Sequence, residues 1–168
     1  LEAHPGFFRP RRFSAEEYRN TLQTLFGFDL EVQIIEAQQT VVERSLVMKL
    51  LPTDPPGKSG FTNDTHRNPL TSLIWSQYSY LTDTALDQWF GAQDLDTFSP
   101  FIDSKNIKGS SHREATQLLS AFLPRIFRRP LVPQDLEARL ERVKSARNPF
   151  AVLKHEMKAA LMSPGFLY

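Results

Sequence analysis

Three times in this chain a hydroxyl residue stands three positions before a glutamate, and each time apolar residues of helical period follow: Ser14 with Glu17, Thr40 with Glu43, and Ser111 with Glu114. In such a capping box the hydroxyl accepts from the amide of the third helical residue, while the carboxylate reaches back to the amide of the cap. The repetition points to a helical fold. After Ser14, residues Tyr18, Leu22, Leu25 and Phe26 recur on one helical face. Phe13 and Tyr18 stand at the two positions of a hydrophobic staple, and Gly27 suits the left-handed residue that closes a helix. The spacing predicts a helix over 14–26.

The rest of the chain divides by the same logic. Leu30 to Ile35 alternates as a short strand would, but with no partner strand evident an extended loop is expected there. Thr40 then predicts a helix over 41–51, ended by Pro52. Between Pro52 and Pro69, clusters of proline and glycine forbid regular structure. Thr71 opens a long helix to about Trp89, with Ile74, Tyr78, Leu81, Ala85 and Trp89 as its apolar stripe and Leu73, Tyr80 and Leu86 widening it. Gly91 to Gly109 is a second irregular connection. Ser111 starts a helix through Ala115, Leu118, Leu119, Phe122 and Ile126, which Pro124 should bend or end. A helix from about Pro133 carries Leu136, Leu140 and Val143. A last one, capped by Asn148 with Pro149 in its first turn, carries Phe150, Leu153, Met157, Ala160 and Leu161. The expected architecture is all-α, about six helices in two groups: a helical domain over 1–91, a linker over 92–110 and a second helical domain over 111–168.

Composition narrows the function. Apolar residues make up 40% of the 168, enough for a core, and 20 basic side chains against 19 acidic give a net charge of +1. A nucleic-acid partner would call for a basic excess, so none is expected. The clusters Arg9, Arg11, Arg12 and Arg125, Arg128, Arg129 read as solvated or salt-bridged faces. Without cysteine there is no disulfide, thiolate metal site, thiol nucleophile or covalent haem attachment in this chain. No apolar stretch approaches the roughly 20 residues that span a bilayer. The opening Leu1-Glu2-Ala3-His4 reads as a processed or trimmed start.

No catalytic motif stands out. His4, His66, His112 and His155 share no metal-binding spacing, and the nucleophile elbow, phosphate loop and dinucleotide pattern are missing. Glu16 with Glu17, Asp94 with Asp96, and Asp54 with Asp64 are paired carboxylates, but sequence does not fix their separation. Asn63 and Asp64, in the run Asn63-Asp64-Thr65-His66-Arg67-Asn68, offer oxygen ligands that could hold calcium; turns closed by their own side chains are the simpler expectation. Trp75, Tyr78, Tyr80 and Trp89 fit an aromatic-rich helix core better than a platform for sugar or haem. No catalytic residue, cofactor site or cofactor is therefore expected within this chain.

Four ordered segments carry a family resemblance. Arg11-Arg12-Phe13-Ser14-Ala15-Glu16-Glu17-Tyr18-Arg19-Asn20-Thr21-Leu22, continuing to Leu25-Phe26-Gly27, resembles the "R-L-x-x-x-E-Y-x-N-T" opening of a domain of unknown function in planctomycete-type cytochrome c-associated proteins. Gly60-Phe61-Thr62-Asn63 with the Tyr78-bearing helix resembles its "G-F-D-N" part. Phe122 to Leu131, with Arg128, Arg129 and Pro130, is similar to "F-x-x-R-A-F-R-R-P-L-T", and Ala160 to Tyr168 to "A-[IVL]-L-x-S-P-x-F-L-Y". Leu30 to Leu51 departs from the pattern, being longer and more apolar. The resemblance marks Tyr18, Asn20, Phe61, Asn63, Phe122, Arg128, Arg129 and Pro130 as structural motif positions. It implies a bacterial source, export to the periplasm or cell surface, and a multidomain parent whose other parts could carry haem c, the Cys-x-x-Cys-His segments lying outside this region.

The expected function is a non-catalytic helical scaffold or interaction module, partnered by the remainder of the parent polypeptide or another protein chain. The alternative is part of a redox or polysaccharide-directed enzyme completed by further domains. Phe166, Leu167 and Tyr168 follow the turn signal Pro164-Gly165. They are expected either to fold back on the body or to meet a second polypeptide, because three apolar side chains left in water forfeit about 1.5–3 kcal/mol each.

Overall fold

Ser14 does cap the first helix. Its Oγ accepts from the Glu17 N–H at 3.2 Å, and Glu17 Oε2 accepts from the Ser14 N–H at 2.9 Å. Helix α1 (Ala15–Phe26) buries Ala15, Tyr18, Leu22 and Phe26, and ends where Gly27, at φ 83°, donates to the Gln23 carbonyl. The computed structural model describes residues 12–36, 39–53, 60, 70–91, 111–127 and 131–168, with backbone only for 33–36 and 39–44.

The next segment corrects the sequence reading. Glu31–Glu36 (β1) pairs antiparallel with Gln39–Ser45 (β2), in register from Glu31 opposite Ser45 to Ile34 opposite Val42, with an irregularity between Ile34 and Ile35. Residues 41–44, expected to be helical, are therefore strand, and α2 is only Leu46–Leu50. Thr40-Val41-Val42 is a β-branched run, stiff in a helix and at ease in a strand. The alternating segment just before it supplies the partner that a lone strand would lack. At the foot of the hairpin Leu46 N–H donates to the Leu30 carbonyl at 2.7 Å, and the carboxylate of Asp29 takes the guanidinium of Arg19, tying the hairpin to α1. Leu51, extended before Pro52 as proline requires, ends α2.

Four longer helices follow: α3 (Ser72–Gly91), α4 (His112–Phe127), α5 (Pro133–Lys144) and α6 (Pro149–Leu161); a single turn, α7 (Pro164–Leu167), comes last. The chain is mostly helical, with seven helices among the described residues where about six were expected; the additional one is the short α7. On α3 the buried stripe is Tyr78, Leu81, Thr82, Ala85, Leu86 and Trp89. Leu73 and Tyr80 do not widen it. They lie on the outer side, 67% and 57% exposed, and Trp75 is partly outside as well. Helix α4 accepts Pro124 and runs on to Phe127, while Asn148 caps α6 by accepting from Ala151 N–H at 3.1 Å.

One hydrophobic cluster joins all seven helices. At its centre Phe26, Trp89 and Phe122, from α1, α3 and α4, lie within 6 Å of one another: 5.4 Å for Phe26–Trp89, 5.5 Å for Trp89–Phe122 and 5.9 Å for Phe26–Phe122. Residues from both sides of the sequence linker thus share one core. Helix α6 is held against α3 by two ion pairs, Lys154 with Asp87 and Lys158 with Asp83. Exposed pairs of this kind contribute about 0–1 kcal/mol each, so the aromatic packing carries the association. Phe122→Ala should cost about 3–5 kcal/mol and lower the melting temperature by on the order of 10 °C in a chain of this size, as read by thermal circular dichroism.

Candidate functional site

Three of the four motif segments converge at one end of α1. Arg12, 1% exposed, donates from Nη1 to the Tyr78 hydroxyl at 3.0 Å and to the Phe13 carbonyl at 3.3 Å. The Tyr78 hydroxyl in turn donates to the same carbonyl at 3.4 Å. Below it the Thr82 hydroxyl gives its single proton to Met162 Sδ at 3.7 Å, and so accepts from the Tyr18 hydroxyl at 3.2 Å. The two tyrosine rings meet edge to face at 4.7 Å. Phe166 packs edge-on against both Phe13 (5.8 Å) and Tyr18 (6.2 Å), and Phe13 N–H donates to the Leu167 carbonyl at 3.0 Å. The terminal segment therefore folds back on the body through Phe166 and Leu167, both buried, while Tyr168 is exposed.

The chemistry of this junction is quiet. Burial pushes the Tyr18 phenol far above its ordinary value; the hydrogen bond with Thr82 pulls the other way and Tyr78 adds to the rise. Tyr18 stays neutral at any physiological pH and offers no phenolate. Arg12 is not on a solvated face: its head is inside the protein.

Beside the junction lies an open groove of about 570 Å³. Asn20, Thr21, Thr24 and Leu25 of α1 form one wall, Pro124 and Arg125 of α4 the other, and Phe166 of α7 lies between. Thr21 and Thr24 donate their hydroxyl protons to the carbonyls one turn earlier, Glu17 and Asn20. The motif positions thus separate: Tyr18 and Phe122 are core, Asn20 is exposed at the groove, and Phe61, Asn63, Asp64, Arg128, Arg129 and Pro130 lie outside the described residues. His4 and His66 lie outside them too. His155 is exposed, and His112 Nε2 bonds the Ala146 carbonyl at 2.9 Å, a tie from α4 to the connection between α5 and α6. Among the described residues no group of three or more His, Cys, Asp or Glu could hold a metal, and no helix is long and apolar enough to cross a membrane.

Sequence reasoning missed one charged cluster. Glu156 on α6 is 4% exposed and accepts from Arg142 Nε at 2.5 Å, from Arg142 Nη2 at 3.0 Å and from Arg139 Nη1 at 2.8 Å. Burial opposes ionisation, but the hydrogen bonds and charges of Arg142 and then Arg139 prevail, and the carboxyl is held below its ordinary 4.5. Arginines three apart on α5 were the available signal, because i and i+3 share a face.

With the geometry in view, the chain can be set against known proteins. Residues 11–91 match the family model PSD3, described as a protein of unknown function (DUF1587). No curated protein and no solved structure matches the chain. The PSD3-matching segment holds Arg12, Phe13, Tyr18, Tyr78 and Thr82, whereas Met162, Phe166 and Leu167, which complete the junction, come from beyond it. The PSD3 segment is accordingly not packed in isolation here: α4, α6 and α7 cover its inner face.

Glu156→Gln, which leaves two arginines short of a charged partner, should cost about 1–3 kcal/mol at pH 7. Because the folded pKa of Glu156 is depressed, its stabilisation is present above pH 4.5 and is lost as pH falls through the lower folded value. Urea denaturation from pH 7 to pH 3 should therefore show the two proteins converging on the acid side. A gap that stays constant would refute the ion-pair assignment.

Proposed function

We propose that the chain is a non-catalytic helical scaffold or interaction module of a larger exported, cytochrome c-linked bacterial protein in the periplasm or at the cell surface. Its partners on this reading are the remainder of the parent polypeptide or another protein chain. The supporting observation is where the motif residues go: Arg12, Tyr18, Tyr78, Phe122 and Leu167 are all buried and engaged in packing and hydrogen bonds. A catalytic constellation instead puts a nucleophile or a proton-transferring group with a tuned pKa at a cleft. Here the groove is lined by carboxamide, hydroxyl, guanidinium and apolar groups. Export, the bacterial source and the link to cytochromes rest on the resemblance of the four motif segments. Haem c belongs on this reading to other parts of the parent, since this chain has no cysteine to attach it.

The reading is tested by mixing the chain with the separately expressed remainder of its parent and recording native mass spectra. A one-to-one complex at micromolar concentration, and a purified chain without a Soret band, are the expected results. A chain that ignores the rest of its parent, or that binds haem by itself, overturns the proposal.

A further inference from the structure

Helix α5 is held differently from its neighbours. Of its twelve residues Val143 alone is buried; Leu136, Arg139 and Leu140 are half-buried and the other eight are exposed. Helix α1, of the same length, buries four, and α6 buries six of thirteen. Leu136 and Leu140 touch the core at its edge, and the polar tie across the seam is the pair of arginines, Arg139 and Arg142, closed on Glu156 of α6. The two ends of α5 are also unlike. Val132 stands at its N-cap, 56% exposed, and gives the first turn no side-chain bond. Beyond its last turn, His112 of α4 bonds the Ala146 carbonyl and Asn148 caps α6. We infer that α5 is a hinged cover: it leaves α4 and α6 as a unit, pivoting on residues 145–148, while the rest of the core stays folded, and Glu156 is its latch.

Local opening is easiest where few apolar groups are buried and the backbone bonds face water, and α5 meets both conditions. Removing it uncovers one fully buried side chain of its own. Removing α1 would instead break the contacts of Phe26 with Trp89 and Phe122. The latch is placed to act on this one motion. Both arginines travel with α5 while the carboxylate stays on α6, so opening must part all three hydrogen bonds together. Once detached, a helix this short is marginal in water, and its amides lose their protection.

The test is amide-resolved hydrogen exchange of the full chain by NMR, with urea kept below the unfolding transition. Amides of residues 137–144 should open together, about tenfold or more often than those of α1 and α3, and with a weaker urea dependence because less surface is exposed. Glu156→Gln should raise the opening of α5 about fivefold or more. Leu22→Ala, a cavity under α1, should speed exchange in α1 and α3 about tenfold or more while leaving α5 nearly unchanged. The inference is overturned if α5 exchanges at the rate and with the urea dependence of α1 and α3, or if its amides fray in a gradient from one end. It is equally overturned if Glu156→Gln leaves α5 unchanged, or if Leu22→Ala speeds α5 as much as α1. Should a variant fail to fold, the urea dependence of the unaltered chain decides by itself.

Discussion

A main-chain hydrogen bond, Phe13 N–H to the Leu167 carbonyl, joins the segment just before α1 to the last helical turn. Around it Phe166 enters between Phe13 and Tyr18, and the tyrosine pair beneath extends the contact to α3. The bond itself is worth about 1 kcal/mol. Its importance is positional: it forms only if α1, α3, α6 and α7 are all in place, so it registers the two ends of the sequence against each other. Burying Phe166 and Leu167 adds roughly 1.5–3 kcal/mol for each side chain. The groove exists only because of that closure, since Phe166 is its floor.

Arg12 and Glu156 show two ways of placing a charge inside. Arg12 is buried with the Tyr78 hydroxyl and the Phe13 carbonyl as acceptors, so its donors help to hold the N-terminal segment against α3. Glu156 is buried under two arginines whose stems and heads reach outward, and the three together close the α5–α6 seam. Desolvating a charge is expensive, and a buried ion is kept only where hydrogen bonds replace its water. At Glu156 three hydrogen bonds from two arginines do so, and at Arg12 the Tyr78 hydroxyl and the Phe13 carbonyl do so for Nη1. Such groups fix which packing is allowed more than they deepen its stability.

The match to PSD3 ends at residue 91, yet the packing does not. Trp89, near the end of the matched segment, lies against Phe122 of α4, and Tyr18, near its start, reaches Met162 of α6 through Thr82. In this chain the matched segment forms a three-helix face that is completed by helices from outside the match. The face that remains open carries the groove on one side and Leu73 and Tyr80 on another.

The sequence by itself determined the helices whose signals are local. Ser14 with Glu17, Gly27, Asn148 with Pro149, and the apolar stripes of α1, α4 and α6 each depend on residues within about four positions, which is the range over which a helix satisfies its own backbone. The hairpin was not legible in that way. Thr40 and Glu43 have the spacing of a helix cap, and the strand partner of Gln39–Ser45 lies in the preceding segment, so pairing outweighed a local signal. Nor could spacing tell that Leu73 and Tyr80 face outward, because α3 is apolar around most of its circumference and the choice of buried side belongs to α1 and α6. The Arg12–Tyr78 contact joins residues 66 positions apart, the Glu156 cluster residues 14 and 17 apart, and the groove brings α1 together with the far more distant α4 and α7. Only the tertiary structure decided these, since hydrogen bonds and side-chain packing act over a few ångströms of space and are indifferent to separation along the chain.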